Sequence, residues 1–211
     1  MHYKKLTIRN ATIHDSTLLS AWWNDGRIMA HAGFHYGTGE TPSQISQRLL
    51  ANQNGPHHRY ILEYKEIPIG EMSCQDLDGH IAEIGIKICN ETYQDMGLGR
   101  VFLSMMIEYL FEEQGFARII LDTNQKNHRA RHIYERLGFR QQRIRPDAFR
   151  DDTGVWQLSL IHIFSPEPCE MSSTSAPLWT LASIRMGWFI SPRLRTNSSS
   201  TLRRWSPWGT W

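Results

Sequence analysis

Along the first 160 residues the apolar positions switch repeatedly between a period of two and a period near 3.6. "KLTIRNAT" alternates as a strand, and "HDSTLLSAWWND" follows as a short helix with Asp15 or Ser16 as its cap. "GRIMAHAGFHYGTGE" reads as a loop of Gly and His. It leads to the helix "TPSQISQRLLANQ", where Thr41 precedes a proline at the first helical position. "HRYILEYKE" and "IPIGEMSCQD" are separated by a tight polar turn and form a hairpin. In "HIAEIGIKIC" the residues Ala82, Ile84, Ile86 and Ile88 share one face, with Glu83, Gly85 and Lys87 on the other.

The second half continues the alternation. Val101, Phe102, Met105, Met106, Tyr109 and Leu110 recur at helical spacing, and Gly115 ends that helix. "ARIILDT" is a nearly continuous apolar run, the pattern of a strand buried on both faces. "NHRARHIYERLGF" carries Ala130, Ile133, Tyr134 and Leu137 in one stripe, with Gly138 as terminator. "FRQQRIRP" and "GVWQLSLIH" close the series as two strands. The expectation is an α/β (α+β) sandwich around one mixed sheet.

Composition divides the chain of 211 residues near residue 161. All Lys and all Asp lie before that point, whereas the last fifty residues hold five of eight Trp, five of nine Pro and ten Ser without a sustained period. Residues 1–161 are therefore read as the domain and 162–211 as an irregular, non-native or disordered tail. A formal charge of +2 gives no basic stripe, so no nucleic-acid partner is expected. Cys74, Cys89 and Cys169 show no CxxC spacing, which argues against a disulfide framework or a zinc site and fits a reducing, cytoplasmic setting. The polar start and the lack of a long apolar run predict no signal peptide and no membrane partner.

One junction carries chemistry. In "YQDMGLGRVF" the glycines permit a tight turn with exposed N–H groups, and the helix that follows adds unpaired amides and the positive end of its dipole. Gln94, Asp95, Met96, Gly97, Leu98, Gly99 and Arg100 are thus a pyrophosphate-binding loop. Phe102 stands where a dinucleotide fingerprint needs a small residue, and no Gly-Lys-Ser/Thr follows. His128 and His132 have ligand spacing but lack an acidic or Cys partner, so no metal is expected.

Gln94-x-x-Gly97-x-Gly99 at a strand-to-helix junction, then a buried strand, then Asn127-x-x-Ala130-x-x-x-Tyr134-x-x-x-Gly138-Phe139, resembles the GCN5-related N-acetyltransferases, the GNAT enzymes. The likeness extends over residues 6–160. It implies a GNAT fold with about six to seven strands and about four helices, acetyl-CoA as co-substrate, and a monomer or homodimer. By the same resemblance Ile88 and Cys89 would pair through their backbone with the pantetheine arm. Asn127 and Ala130 would line the cofactor's other side, and Tyr134 would be the general acid. Without the likeness Tyr134 reads as a core residue on an apolar stripe. Glu83, opposite the isoleucines, is the candidate general base, with an ion pair to Lys87 as its alternative.

The resemblance also places an acceptor cleft between the early helices and the last strand pair. Trp22, Trp23, Asp25, Phe34 and Tyr36 would form one border, and Asp147, Asp151 and Asp152 the other. Aromatic walls with carboxylates suit a polycationic amine, and an aminoglycoside is the first expectation. Acetylation of a protein N-terminus, as in ribosomal-protein acetyltransferases, is the alternative, followed by a non-catalytic acetyl-CoA-binding module.

Overall fold

The computed structural model describes residues 1–165. The expectation for 162–211 lies outside these residues from position 166 onward. Eight strands form a single mixed sheet in the order β1-β2-β3-β4-β5-β6-β8-β7. They are β1 (His2–Tyr3), β2 (Leu6–Asn10), β3 (His57–Tyr64), β4 (Ile67–Asp76), β5 (Ile81–Ile88), β6 (Arg118–Asn124), β7 (Arg140–Arg150) and β8 (Trp156–Phe164). The α-helices are α1 (Ser16–Trp23), α2 (Gly26–Met29), α3 (Pro42–Ala51), α4 (Leu98–Glu108) and α5 (His128–Arg136). Among the described residues no helix is long and apolar enough to cross a membrane.

Three local expectations are revised. Asp15 acts from inside a 3-10 turn, accepting from the Thr12 N–H at 2.7 Å while Arg9 grips its carboxylate at 2.7 Å. The Gly/His loop contains α2, which exists because Asp25 caps it, accepting from the Arg27 N–H at 2.9 Å. Strand β6 buries Ile119 and Leu121 fully, whereas Ile120 and Asp122 on its other face are only half-buried.

Strand register assigns the two faces of the sheet. Ile61, Glu71 and Lys87 lie directly opposite one another across β3, β4 and β5, so they share a face. Over it pack Leu19, Trp23, Met29 and Ile45 from α1 to α3. The alternate positions Leu62, Met72, Ile84 and Ile88 face the other way, and Ile88 comes to rest below Gly99 at the start of α4. At Gly70 an added Cβ would sit 2.2 Å from the Lys87 carbonyl, so only glycine permits this approach of β4 to β5.

Glu71 is a charge inside this core, 1% exposed. Its Oε1 accepts from Trp23 Nε1 at 2.9 Å and Lys87 Nζ at 3.1 Å, and its Oε2 from Arg59 Nη1 at 3.0 Å. Burial alone would push this carboxyl upward, but the Arg59 and Lys87 charges and the indole hydrogen bond overcome it and hold the group at about 2. Arg59 also stacks over the Trp23 ring, 4.9 Å from its centroid. Trp23 is therefore a buried keystone of the α1–sheet contact rather than a wall of the acceptor cleft.

The domain boundary moves as well. Strand β8 continues past residue 161 to Phe164, whose ring lies 5.3 Å from Phe139 and 5.5 Å from Phe111. The sequence reading stopped at residue 161, where the composition changes, although the alternation of β8 continues through Phe164.

Two tests follow from this packing. Glu71→Ala leaves Arg59 and Lys87 facing each other without their shared carboxylate and should cost about 3–5 kcal/mol in urea unfolding. A chain truncated after Ser165 should melt higher than one truncated after Ile161. The shorter chain lacks buried Phe164, and removing such a ring typically costs about 3–5 kcal/mol.

Candidate active site

The site begins where two neighbouring strands part. β5 and β6 pair in parallel from Ile81↔Arg118 to Ile84↔Leu121 and no further. β5 runs on to Ile88 and β6 to Asn124, while the other edge of β6 stays paired to β8 from Ile119 to Asn124. The edge of β5 from Gly85 to Ile88 therefore opens into a cleft. At its far end the Cys89 N–H is bound to the Ile69 carbonyl at 2.8 Å and the Ile88 carbonyl accepts from Gln94 Nε2 at 2.9 Å. Of the two residues expected to pair with pantetheine, Cys89 has its amide committed to β4, which shifts the available edge toward Gly85. Burial, reinforced by the Glu71 charge, raises the Cys89 thiol and keeps it protonated.

The glycine loop closes one side of the cleft. Gln94 anchors it to β5. Asp95 (φ +59°) and Gly97 (φ +73°) adopt left-handed conformations that reverse the chain into α4. No side chain caps the first turn of α4, so its leading amides are not bound by a cap. A Cβ built on Gly97 would have nothing within 4 Å, and one on Gly99 would meet only Ile88 Cγ1 at 3.8 Å. Uncapped amides beside glycines with open space suit a pyrophosphate. Met96 and Arg100 are exposed at this mouth, and Leu98 is half-buried.

Across the cleft α5 starts at Asn127, whose Oδ1 caps the helix by accepting from the Ala130 N–H at 3.1 Å. Tyr134, on the same helix, is 6% exposed. Its ring stands edge-on to His162 at 5.6 Å and packs on Phe139 at 6.0 Å. Burial first, and the nearby Asp122 charge second, raise the Tyr134 hydroxyl, so it remains a proton donor.

Glu83 lies one pair before the end of the β5–β6 ladder, opposite Ile120, and two residues further along β6 comes Asp122. Burial, then the Asp122 charge, raise Glu83 to about 7 despite the opposing effect of Arg145. Asp122 Oδ2 meets Arg145 Nη2 at 3.4 Å, while its Oδ1 is buried without a hydrogen-bond partner. Asp122 thus influences both Glu83 and Tyr134, and sequence reasoning passed over it. Its signal was present: it is the one acidic residue within "ARIILDT". Lys87, the suggested partner of Glu83, instead bonds Glu71.

The two expected acceptor borders do meet, but through their own carboxylates. Asp152 accepts from the Tyr36 N–H at 2.8 Å and bonds His35 Nδ1 at 2.8 Å, and its own N–H donates to the Gly33 carbonyl at 3.0 Å. Asp151 is 6% exposed and accepts from the Thr153 and Val155 amides, the Thr153 hydroxyl and Gln157 Nε2. The Thr153 hydroxyl leads the contacts that hold this carboxyl down at about 2. Asp151 and Asp152 therefore brace the hairpin and the loop, in place of the substrate-binding role expected of them. His35, Asp151 and Asp152 bring three potential ligand atoms within 4.8 Å, yet these hydrogen bonds already engage them. Asp25 caps α2 and pairs with Arg27 at 2.7 Å. Trp22 and Phe34 are half-buried against the helical core. Tyr36 is 80% exposed, and Asp147 is exposed at an irregularity of β7 with φ +49°.

A parted strand pair with a glycine loop on one side and a buried tyrosine on the other thus frames the candidate site. A profile described as "Acetyltransferase (GNAT) domain" matches residues 5–140, and the chain belongs to that family. Among solved structures it is similar to a spermidine N-acetyltransferase from Vibrio cholerae in complex with CoA and spermine. That match has 20% identity and a TM-score of 0.70, and covers 76% of this chain and 95% of the other. A ribosomal-protein-S5-alanine acetyltransferase from Vibrio fischeri is similar at 17% identity and a TM-score of 0.68, covering 79% and 96% of the two chains. The aminoglycoside acetyltransferase AAC(6')-Ib in complex with coenzyme A is similar at 22% identity and a TM-score of 0.61, covering 76% and 95%.

The raised Glu83 has a thermodynamic signature. Its folded state holds the proton more tightly than the unfolded chain, so its contribution to stability is complete below about 4.5 and is lost as pH rises through about 7. Glu83→Gln should flatten that decline. Urea midpoints at pH 5 and pH 8 should differ less in the variant than in wild type.

Proposed function

We propose that this protein transfers the acetyl group of acetyl-CoA to a primary amine of a small acceptor carrying more than one ammonium group, an aminoglycoside being the first candidate. The observation that carries this reading is the pairing of opposite proton roles at the strand parting: Glu83 raised to about 7 and a buried, protonated Tyr134, both within the influence of Asp122. Near neutral pH Glu83 is poised to accept a proton from the acceptor's ammonium. The neutral nitrogen then attacks the thioester carbonyl, a C–N bond forms and the C–S bond breaks. Tyr134 gives its hydroxyl proton to the departing thiolate, and the second proton shed by the attacking nitrogen as the amide forms restores the tyrosine hydroxyl. The backbone of β5 from Gly85 to Ile88 and the amides from Gln94 to Arg100 hold the co-substrate's arm and pyrophosphate.

Support for a polycationic acceptor comes from the exposed Tyr36 and Asp147 at the acceptor side. The spermidine and aminoglycoside enzymes among the similar structures agree with that class. A second reading, acetylation of a protein N-terminus, is favoured by one observation: Asp151 and Asp152 are engaged within the fold and leave fewer carboxylates for extra ammonium groups.

Thiol release from acetyl-CoA, measured with an aminoglycoside, spermidine and an alanine-terminated peptide in parallel, tests the proposal. Turnover with either polycation and not with the peptide is expected; turnover with the peptide alone selects the second reading. Tyr134→Phe should lower kcat roughly 100-fold while CoA affinity stays within about twofold, because the ring is kept and only the acid is removed. An unchanged kcat would return Tyr134 to a packing role.

A further inference from the structure

The glycine loop and α5, which face each other across the cleft, are joined by an ion pair: Arg129 Nη2 donates to Asp95 Oδ1 at 2.8 Å. Both residues are placed against local preference. Asp95 is a non-glycine residue at φ +59°, a conformation that carries strain. Arg129 is the second residue of α5, at the positive end of the helix dipole, where a cation is disfavoured. Their side chains are 85% and 51% exposed, and an ion pair so open to water contributes too little to offset both penalties.

The arrangement makes sense if the spot belongs to an anion. Asp95 precedes by two residues the N-cap of α4, whose first turn no side chain caps. Its carboxylate therefore stands near the positive end of α4 and against a guanidinium at the positive end of α5. Gly97 and Gly99 leave open space beside it. A guanidinium fork matches two phosphate oxygens as well as it matches a carboxylate, and a phosphate carries more charge. Asp95, already in solvent, can release Arg129 without burying a charge.

Resting on the acetyl-CoA reading above, we infer that Arg129 is a phosphate-binding residue of the co-substrate groove and that Asp95 is its built-in competitor. CoA binding is then an exchange in which a CoA phosphate takes Arg129 from Asp95. Asp95 sets how tightly CoA is retained, which favours release of product CoA after transfer.

Calorimetric titration of CoA and 3′-dephospho-CoA into wild type, Arg129→Gln, Asp95→Asn and the double variant tests this. Arg129→Gln should weaken CoA roughly tenfold, as loss of a charge-assisted phosphate contact does. Asp95→Asn should tighten CoA by roughly twofold to fivefold, and that gain should vanish in the Arg129→Gln background. If the 3′-phosphate is the partner, Arg129→Gln and wild type bind dephospho-CoA equally; if the pyrophosphate is, the tenfold loss applies to both ligands. Melting temperatures within about two degrees of wild type, expected for such exposed residues, show that the fold is retained. Wild-type affinity for CoA in Arg129→Gln, or a gain from Asp95→Asn that persists without Arg129, overturns the inference while leaving the acetyl-CoA reading intact. A wild type that binds no CoA overturns both.

Discussion

Everything at the candidate site depends on the early end of one ladder. Four residue pairs join β5 to β6, and then the strands separate, so a backbone edge that a parallel sheet would normally bury is left open. The helices that follow these two strands start on opposite sides of the gap. Their positive ends converge there because the chain leaves each strand at its carboxyl end. The same gap explains the unusual state of Glu83 and Asp122. Burial raises both carboxyls, the Asp122 charge adds to the rise at Glu83, and Arg145 opposes the rise at each without cancelling it. A sheet paired to its full length would offer neither the edge nor this electrostatic setting.

Rigidity on the acceptor side comes from polar groups used inside the fold. Glu71 ties the sheet to α1 through Trp23. The chain Asp151–Gln157–Asn124 joins the last hairpin to the end of β6, at 2.6 and 3.2 Å, one short turn before α5. Asp152 fastens that hairpin to the loop carrying His35 and Tyr36. Charged residues that look available in a list of carboxylates are, in space, the fasteners that hold the cleft walls in position.

The split between what could and could not be read from the sequence follows from the kind of information each feature carries. Period and glycine placement are local, so the hairpin, the strand before the glycine loop and α4 were legible, as was the loop itself. Thr41 was legible for the same reason, its cap being complete within four residues. Partners distant in sequence were not. Nothing near Trp23 announces Glu71, and nothing near Asp152 announces Gly33 or His35. The Asp-Asp-Thr-Gly turn displayed its hairpin chemistry openly, yet the same residues also satisfied the expectation of an ammonium site. The structure adds what the sequence could not show: the Asp151 carboxylate is buried and already accepts from four donors within the hairpin. Asp122 lay between the cases: a charge within an apolar run is a visible anomaly, but its meaning rests on strands parting beside it.

The bond between Trp23 and Glu71 spans 48 positions and reaches a consequence in modular terms. Recombination could in principle trade the helical segment α1 to α3 between relatives. Here the segment does not travel alone. A replacement without an indole donor at the Trp23 position would leave the sheet's buried carboxylate short of one bond, and a donated Trp over a sheet with no acceptor would bury an unmet N–H. The helical cap and the central strand are bound to diversify together, whereas the exposed Tyr36 and the hairpin tip are free of that constraint.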